Sequence, residues 1–250
     1  MTGILPVALD ESTKVTSALL EGGKEYISVM LLHDDINHEK IIKVFKEFTG
    51  EIFQRPPLRS SVKRRVRTRT IYYNWVLEVE RHAALVQIGC QSGTYIRKIA
   101  HDIGEVLECG AHMAQLRRIR AGPFIEDETL VTLHDLSDAY SYWQEKDDES
   151  MLRKAIQPIE SAIALIAKIH IKDSAVNAIC HGAHLTLPGI VRLDSNINVG
   201  DTIAVLSLKG ELVAFGRAQM ESNKMLSSDR GIAVKTERVI MPVETYPKCW

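Results

Sequence analysis

Gly93-Thr94-Tyr95-Ile96-Arg97, followed by His101-Asp102-Ile103-Gly104, Gly110-Ala111-His112-Met113 and Leu116-Arg117-Arg118, is the most informative run in this chain of 250 residues. Ile96, Ile99, Ile103 and Leu107 recur at helical spacing, Ser92 or Thr94 can cap the start, and Gly110 fits the residue just past the end. Arg97 falls one turn into that helix, beside its apolar positions. Such a side chain either snorkels to water or is buried, and a buried guanidinium must meet a carboxylate or phosphate. The second arginine cluster, Arg117-Arg118, lies within reach of the glycine stop, which suits an anionic substrate.

Working outward, Ile71 to Val79 and Ala84 to Cys90 are rich in β-branched and aromatic residues and predict an antiparallel pair. Upstream, Ser12 to Leu20 reads as a short helix stopped by Gly22-Gly23, and Tyr26 to Leu32 as an apolar strand. Asn37 can cap a further helix with Ile41, Val44, Phe45 and Phe48 on one stripe and Gly50 at its end. Downstream, Leu133 to Tyr142 and Glu149 to Leu165 read as helices joined by the charged stretch Gln144 to Asp148. From about Ala167 the texture changes to short strands with close turns, such as Pro188-Gly189, Val199-Gly200-Asp201 and Lys209-Gly210-Glu211, the pattern of a small β-barrel or sandwich. The expected organisation is α+β over residues 1–166 and a β-barrel over 167–250.

With 45% hydrophobic and 25% charged residues, the chain has the composition of a globular protein. Cys90, Cys109, Cys180 and Cys249 form no Cys-x-x-Cys pair, so neither a disulfide framework nor a zinc knuckle is expected, and Cys180-His181 with His184 lacks a second ligand pair. No apolar run reaches membrane-spanning length and no signal pattern opens the chain, so a cytoplasmic location is expected. Net charge is only -1, yet it is segregated. Arg55, Arg59, Lys63, Arg64, Arg65, Arg67 and Arg69 face the single acid Glu51 between residues 51 and 70, a local balance of +6. Pro56-Pro57 forces an extended path through that segment. A base-rich extended segment is either a solvated loop or a binder of phosphate backbone, and RNA contact is the reading favoured here.

The opening run resembles the tRNA pseudouridine synthase B family, and its dyskerin-like archaeal branch in particular. Ile4-Leu5-Pro6-Val7-Ala8-Leu9, Lys24-Glu25-Tyr26, Phe53-Gln54-Arg55-Pro56-Pro57 with Ser61-Val62-Lys63-Arg64, and Gly122-Pro123-Phe124 extend the resemblance upstream and downstream. His181-Gly182-Ala183, Pro188-Gly189-Ile190, Gly200-Asp201 and Gly231-Ile232-Ala233 resemble a PUA domain, an RNA-binding module. The resemblance implies a largely antiparallel mixed sheet with helices, then a PUA barrel. It implies that Arg97 pairs with the catalytic aspartate, that Tyr26 stacks on the flipped base and handles its protons, and that Leu116 walls the pocket. From periodicity alone Tyr26 and Leu116 are core residues. Arg55, Arg59, Lys63, Arg64, Arg65, Arg67, Arg117 and Arg118 are the expected RNA contacts.

The family isomerises uridine to pseudouridine with one aspartate and neither metal nor cofactor. That aspartate sits in Gly-Thr-Leu-Asp-Pro-x-Val-Thr-Gly, whose last two residues match Thr2-Gly3, so it is expected three positions upstream of Met1, with further strands of the core. The implied partners are tRNA, rRNA or an H/ACA guide RNA together with small H/ACA ribonucleoprotein subunits. The competing expectation, for a chain without that aspartate, is a non-catalytic RNA-binding scaffold.

Overall fold

The computed structural model describes residues 1–57 and 62–248, so Arg59, Ser61 and Cys249 lie outside the described residues. The chain packs as two units, Met1–Val7 with Leu19–Gln157 and Ala8–Ala18 with Pro158–Trp250.

The first unit is built on one mixed sheet. Its elements are β1 (Thr2–Gly3), α1 (Thr16–Glu21), which straddles the division, β2 (Lys24–Leu32), α2 (His38–Glu47), β3 (Gly50–Gln54), β4 (Arg67–Glu80), β5 (Ala83–Cys90), α3 (Ile96–Leu107), β6 (Ala111–Ala121), β7 (Phe124–Ile125), α4 (Leu133–Lys146) and α5 (Ser150–Ala155). The strand order is β1-β6-β2-β5-β4-β3, with β7 on β6; β1 runs parallel to β6 and the other pairs are antiparallel. Alternation along β2 sends Ser28, Met30 and Leu32 to one face, where Val86 and Ile88 of β5 join them. Helices α2 and α3 cover that face with Ile41, Val44, Phe45, Ile99 and Ile103. Two buried polar side chains are tied into it: Ser28 Oγ donates to the Gln115 carbonyl at 2.9 Å, and Asn74 Nδ2 to that of Phe45 at 2.9 Å, while Asn74 Oδ1 is buried with no partner among the described residues.

The anticipated β4–β5 pair and the Asn37 cap, which accepts from the Glu39 amide at 2.8 Å, are present. Four expectations are corrected. Neither Ser92 nor Thr94 caps α3: the N-cap is Tyr95, and Thr94 Oγ1 donates to the Gln91 carbonyl instead. Gly110 does not directly follow α3, because Glu108 takes the left-handed conformation at φ 63°, while the Gly110 amide bonds the Gly104 carbonyl at 3.0 Å. The single helix from Glu149 to Leu165 is broken. Ile156 turns extended, and Pro158, lacking an N–H, separates α5 from a 3-10 turn at Ile159–Ile163. The Ser12–Leu20 helix likewise begins as a 3-10 turn at Asp10–Val15 before α1.

The second unit holds a six-stranded sheet in the order β10-β8-β11-β12-β13-β9, nearly closed on itself, formed by β8 (Ala167–Ile171), β9 (Leu185–Thr186), β10 (Ile190–Leu193), β11 (Thr202–Leu206), β12 (Leu212–Ala218) and β13 (Ile232–Val239), with α6 (Asp173–Cys180) and α7 (Ser222–Ser227). Ile169, Ile171, Val205, Val213 and Val234 fill its centre. Arg238 Nη1 donates to the Lys14 carbonyl at 3.2 Å within the same unit. The α+β core followed by a barrel-like sheet agrees with the fold class read from the sequence. Among the described residues no helix is long and apolar enough to cross a membrane.

Two consequences are measurable. A methyl on Gly104 would sit 2.1 Å from the Ala111 amide nitrogen, so Gly104→Ala forces α3 off the sheet and is expected to cost about 1–3 kcal/mol in denaturant unfolding, the usual range for overpacking. On the opposite sheet face Tyr73 stacks on Trp75, and burial, then its hydrogen bond to the Glu25 carboxylate, pushes its phenol up to about 12. A folded value above the ordinary one of about 10 means stability is whole below pH 10 and declines as pH rises towards about 12. In ultraviolet titration Tyr73→Phe is expected to remove the latest tyrosine step and to flatten that alkaline decline.

Candidate active site

The register of four strands assembles the site. Tyr26 of β2 lies opposite Arg118 of β6 and Ile88 of β5; Ser28 lies opposite Leu116; Gly3 of β1 lies opposite Arg118. Directly opposed residues share a face, so Tyr26, Leu116 and Arg118 stand together on the face that α3 covers. Tyr26 is half-buried at the end of the apolar cluster, and Leu116 is part of that cluster at 9% exposure. Arg97 is the second residue of α3.

Electrostatics distinguish these groups. Burial pushes the Tyr26 phenol above its ordinary value, the Cys90 thiol adds to the effect, and the Arg118 guanidinium pulls against it. The phenol is therefore neutral at physiological pH, able to donate or accept a hydrogen bond. Burial pushes the Cys90 thiol up to about 11, with Thr94 and Lys24 acting the other way. The Lys24 ammonium is lowered by burial and then by Arg118, and it donates to the Leu19 carbonyl at 3.1 Å and that of Gly22 at 2.6 Å.

The sequence-derived arginines separate into different roles. Arg97 is exposed rather than buried, and among the described residues no carboxylate pairs with it. Arg118 brackets the entering chain: its carbonyl accepts from the Ile4 amide at 2.9 Å and its Nε donates to the Ile4 carbonyl at 2.8 Å. Arg117, one residue earlier on the strand, points the opposite way and makes a forked ion pair with Glu126. Arg55, Lys63, Arg64 and Arg65 are exposed. Arg67 is half-buried, and its Nη2 donates to the Lys63 carbonyl at 3.4 Å. Arg69 lies against Gly93, which has φ +79°, a position whose Cβ would come 3.2 Å from Arg69 Nη2.

Several residues at the site escape a reading by pattern. Cys90 carries no sequence signal, and Lys24, which enters the sequence reading only within the Lys24-Glu25-Tyr26 match, faces it across β2 and β5. Arg69 belongs to the basic run, but only the fold brings it to the Gly93 turn. The Cys180-His181 pair stays apart as a metal site: Cys180 lies in the second unit's core, His181 Nδ1 sits 2.8 Å from the Asn177 carbonyl, and no three metal-ligating side chains converge among the described residues.

Known proteins share this sequence and architecture. The model of the TruB family pseudouridylate synthase N-terminal domain matches residues 1–96, that of the tRNA pseudouridylate synthase B C-terminal domain residues 97–164, and that of the PUA domain residues 167–240. The probable tRNA pseudouridine synthase B of Pyrococcus horikoshii is 56% identical over all 250 residues, which span 75% of that relative; its Methanopyrus kandleri counterpart is 53% identical with 74% spanned. Among solved structures, an H/ACA ribonucleoprotein bound to a substrate RNA containing 2'-deoxyuridine matches with TM-score 0.93 and 52% identity, covering 99% of this chain and 75% of that one. A Cbf5-Nop10-Gar1 complex matches with TM-score 0.94 and 55% identity over the same shares. Family models across both units and relatives more than half identical over the whole chain agree: the chain belongs to the TruB family of pseudouridylate synthases.

Proposed function

We propose that this protein isomerises uridine to pseudouridine in rRNA selected by an H/ACA guide with small ribonucleoprotein subunits as partners, in a tRNA T-loop bound directly, or in both. The observation that carries the reading is the convergence of Tyr26, Leu116 and Arg118 on one sheet face beneath the helix that bears Arg97. The similarity to an H/ACA ribonucleoprotein bound to substrate RNA, and to a complex with Nop10 and Gar1, supports the guide-directed form. We also assign RNA binding to the C-terminal module over 167–250, with residues 1–166 as the catalytic portion.

In this reading the N-glycosidic bond of uridine breaks, the freed base turns in place, and a bond re-forms through carbon, so atoms balance without a co-reactant. The exposed Arg97 guanidinium is available to hold the family's aspartate ionised and oriented. Tyr26 offers an aromatic face to the extruded base and, kept neutral, a hydroxyl that passes a proton. Leu116 gives the pocket an apolar wall that disfavours water. Arg118 acts differently from the phosphate contact expected of it: holding Ile4 beside Tyr26, it fixes where the entering chain meets the site. Arg55, Lys63, Arg64 and Arg65, all exposed, hold the RNA backbone.

Pseudouridine formation is best followed by base-specific chemical labelling, using the whole polypeptide of its reading frame with guide and substrate RNA. Arg97→Ala is expected to lower turnover by roughly 10²–10³-fold, the range for losing one preorganised electrostatic partner, while RNA affinity holds. Turnover equal to the parent's would end the assignment. Replacing Arg64 and Arg65 by Ala is expected to weaken RNA binding alike across sequences and to reduce the salt slope by about 1 per lost phosphate contact. An unchanged slope would remove that segment from the interface.

A further inference from the structure

Gln54 ends β3, is 2% exposed, and commits both ends of its amide to a single residue of the α3 start. Its Oε1 accepts from the Tyr95 amide at 3.0 Å and its Nε2 donates to the Tyr95 carbonyl at 3.2 Å. That carbonyl also receives the first amides of α3, Lys98 at 3.0 Å and Ile99 at 3.2 Å. Tyr95 is the N-cap of α3 and has no side-chain cap of its own. The amide of Gln54 therefore grips the peptide groups from which the helix grows, two residues before Arg97. In the other direction Gln54 is joined directly to Arg55-Pro56-Pro57, the stiff entry to the basic segment.

We propose that Gln54 is a positioning residue for the reaction: it sets the start of α3, and with it the aim of Arg97, and ties that setting to the segment that holds RNA. This rests on the pseudouridine synthase reading and deepens it. A neutral side-chain hydrogen bond adds modestly to net stability, whereas a small displacement of a charged partner at a reacting centre changes rate steeply. Arg97 itself lies on the surface of its helix, so what aims it is the backbone beneath it. Arg69 packed over Gly93, and the Gln91 amide donating to the Thr70 carbonyl at 2.8 Å, steady the turn just before Tyr95. Gln54 takes hold where that turn becomes helix.

Two substitutions in the whole polypeptide, assayed with guide and substrate RNA, test the proposal. Gln54→Met keeps the length and bulk and removes both hydrogen bonds; kcat is expected to fall about 10–100-fold with KM unchanged, the scale of a slight misplacement at a reacting centre. Hydrogen exchange of the Tyr95 amide is expected to accelerate in the same variant. Gln54→Glu supplies the decisive pH profile. As a neutral acid it can accept from the Tyr95 amide and donate to its carbonyl, as glutamine does; as a carboxylate it can only accept and opposes that carbonyl. Burial raises its pKa, so its turnover relative to the parent is expected to recover as pH falls, which a general packing defect would not do. Parental turnover in Gln54→Met, or a Gln54→Glu ratio that stays flat with pH, overturns the proposal. Full turnover in Arg97→Ala removes the reading beneath it whatever Gln54 does, which tells the two failures apart.

Discussion

Helix α3 rests on the sheet with no atom to spare at Gly104, whose backbone meets the start of β6 where any side chain would collide with Ala111. That approach sets the depth of the helix, and with Ile99, Ile103 and Leu107 locked into the apolar cluster it leaves little freedom to roll. The N-terminal end of α3 then has to lie over the far end of the same strands, where Tyr26 and Arg118 face one another. A single close contact between glycine and backbone thus sets how the helix that bears Arg97 lies on the sheet that bears Tyr26. The cost falls on glycine, whose conformational freedom would weaken a helix interior if packing did not compensate.

The chemistry of the site follows from graded burial. Leu116 is enclosed, Tyr26 is half-enclosed and kept neutral, and Arg97 reaches solvent. Arg118 sits between the regimes. It lowers the Lys24 ammonium and opposes the rise of the Tyr26 phenol while its own Nε is engaged by the Ile4 carbonyl.

Where the sequence carries periodicity, the fold was readable. The β4–β5 pair, the capped α2 and the apolar stripe of α3 all announce themselves by spacing, and the turn-rich texture beyond Ala167 coincides with the second unit's strands. The strand β6 does not: Arg117, Arg118 and Arg120 put charge on both faces, so no alternation marks it, and the two adjacent arginines look equivalent although pleating sends them opposite ways. The Glu149–Leu165 helix misled because its composition is helical while Pro158 cuts it. Tyr26, Arg97 and Leu116 are singled out only by an ordered resemblance, since each alone reads as core or solvated surface. Gln54 stands in the Phe53-Gln54-Arg55-Pro56-Pro57 match, yet nothing in that pattern gives it a role of its own; its meaning lies in two hydrogen bonds to a residue 41 positions away.

The β3 strand borders the sheet, and an open border is where one chain can recruit another by extending the ladder of hydrogen bonds. Here the border is brief. Five residues run from Gly50 to Gln54, after which Arg55 brings charge and Pro56-Pro57 withdraws two successive donors. The stretch that leads into the basic segment therefore also guards against self-association, so that a newly made chain can stay apart without its exposed strand collecting copies of itself.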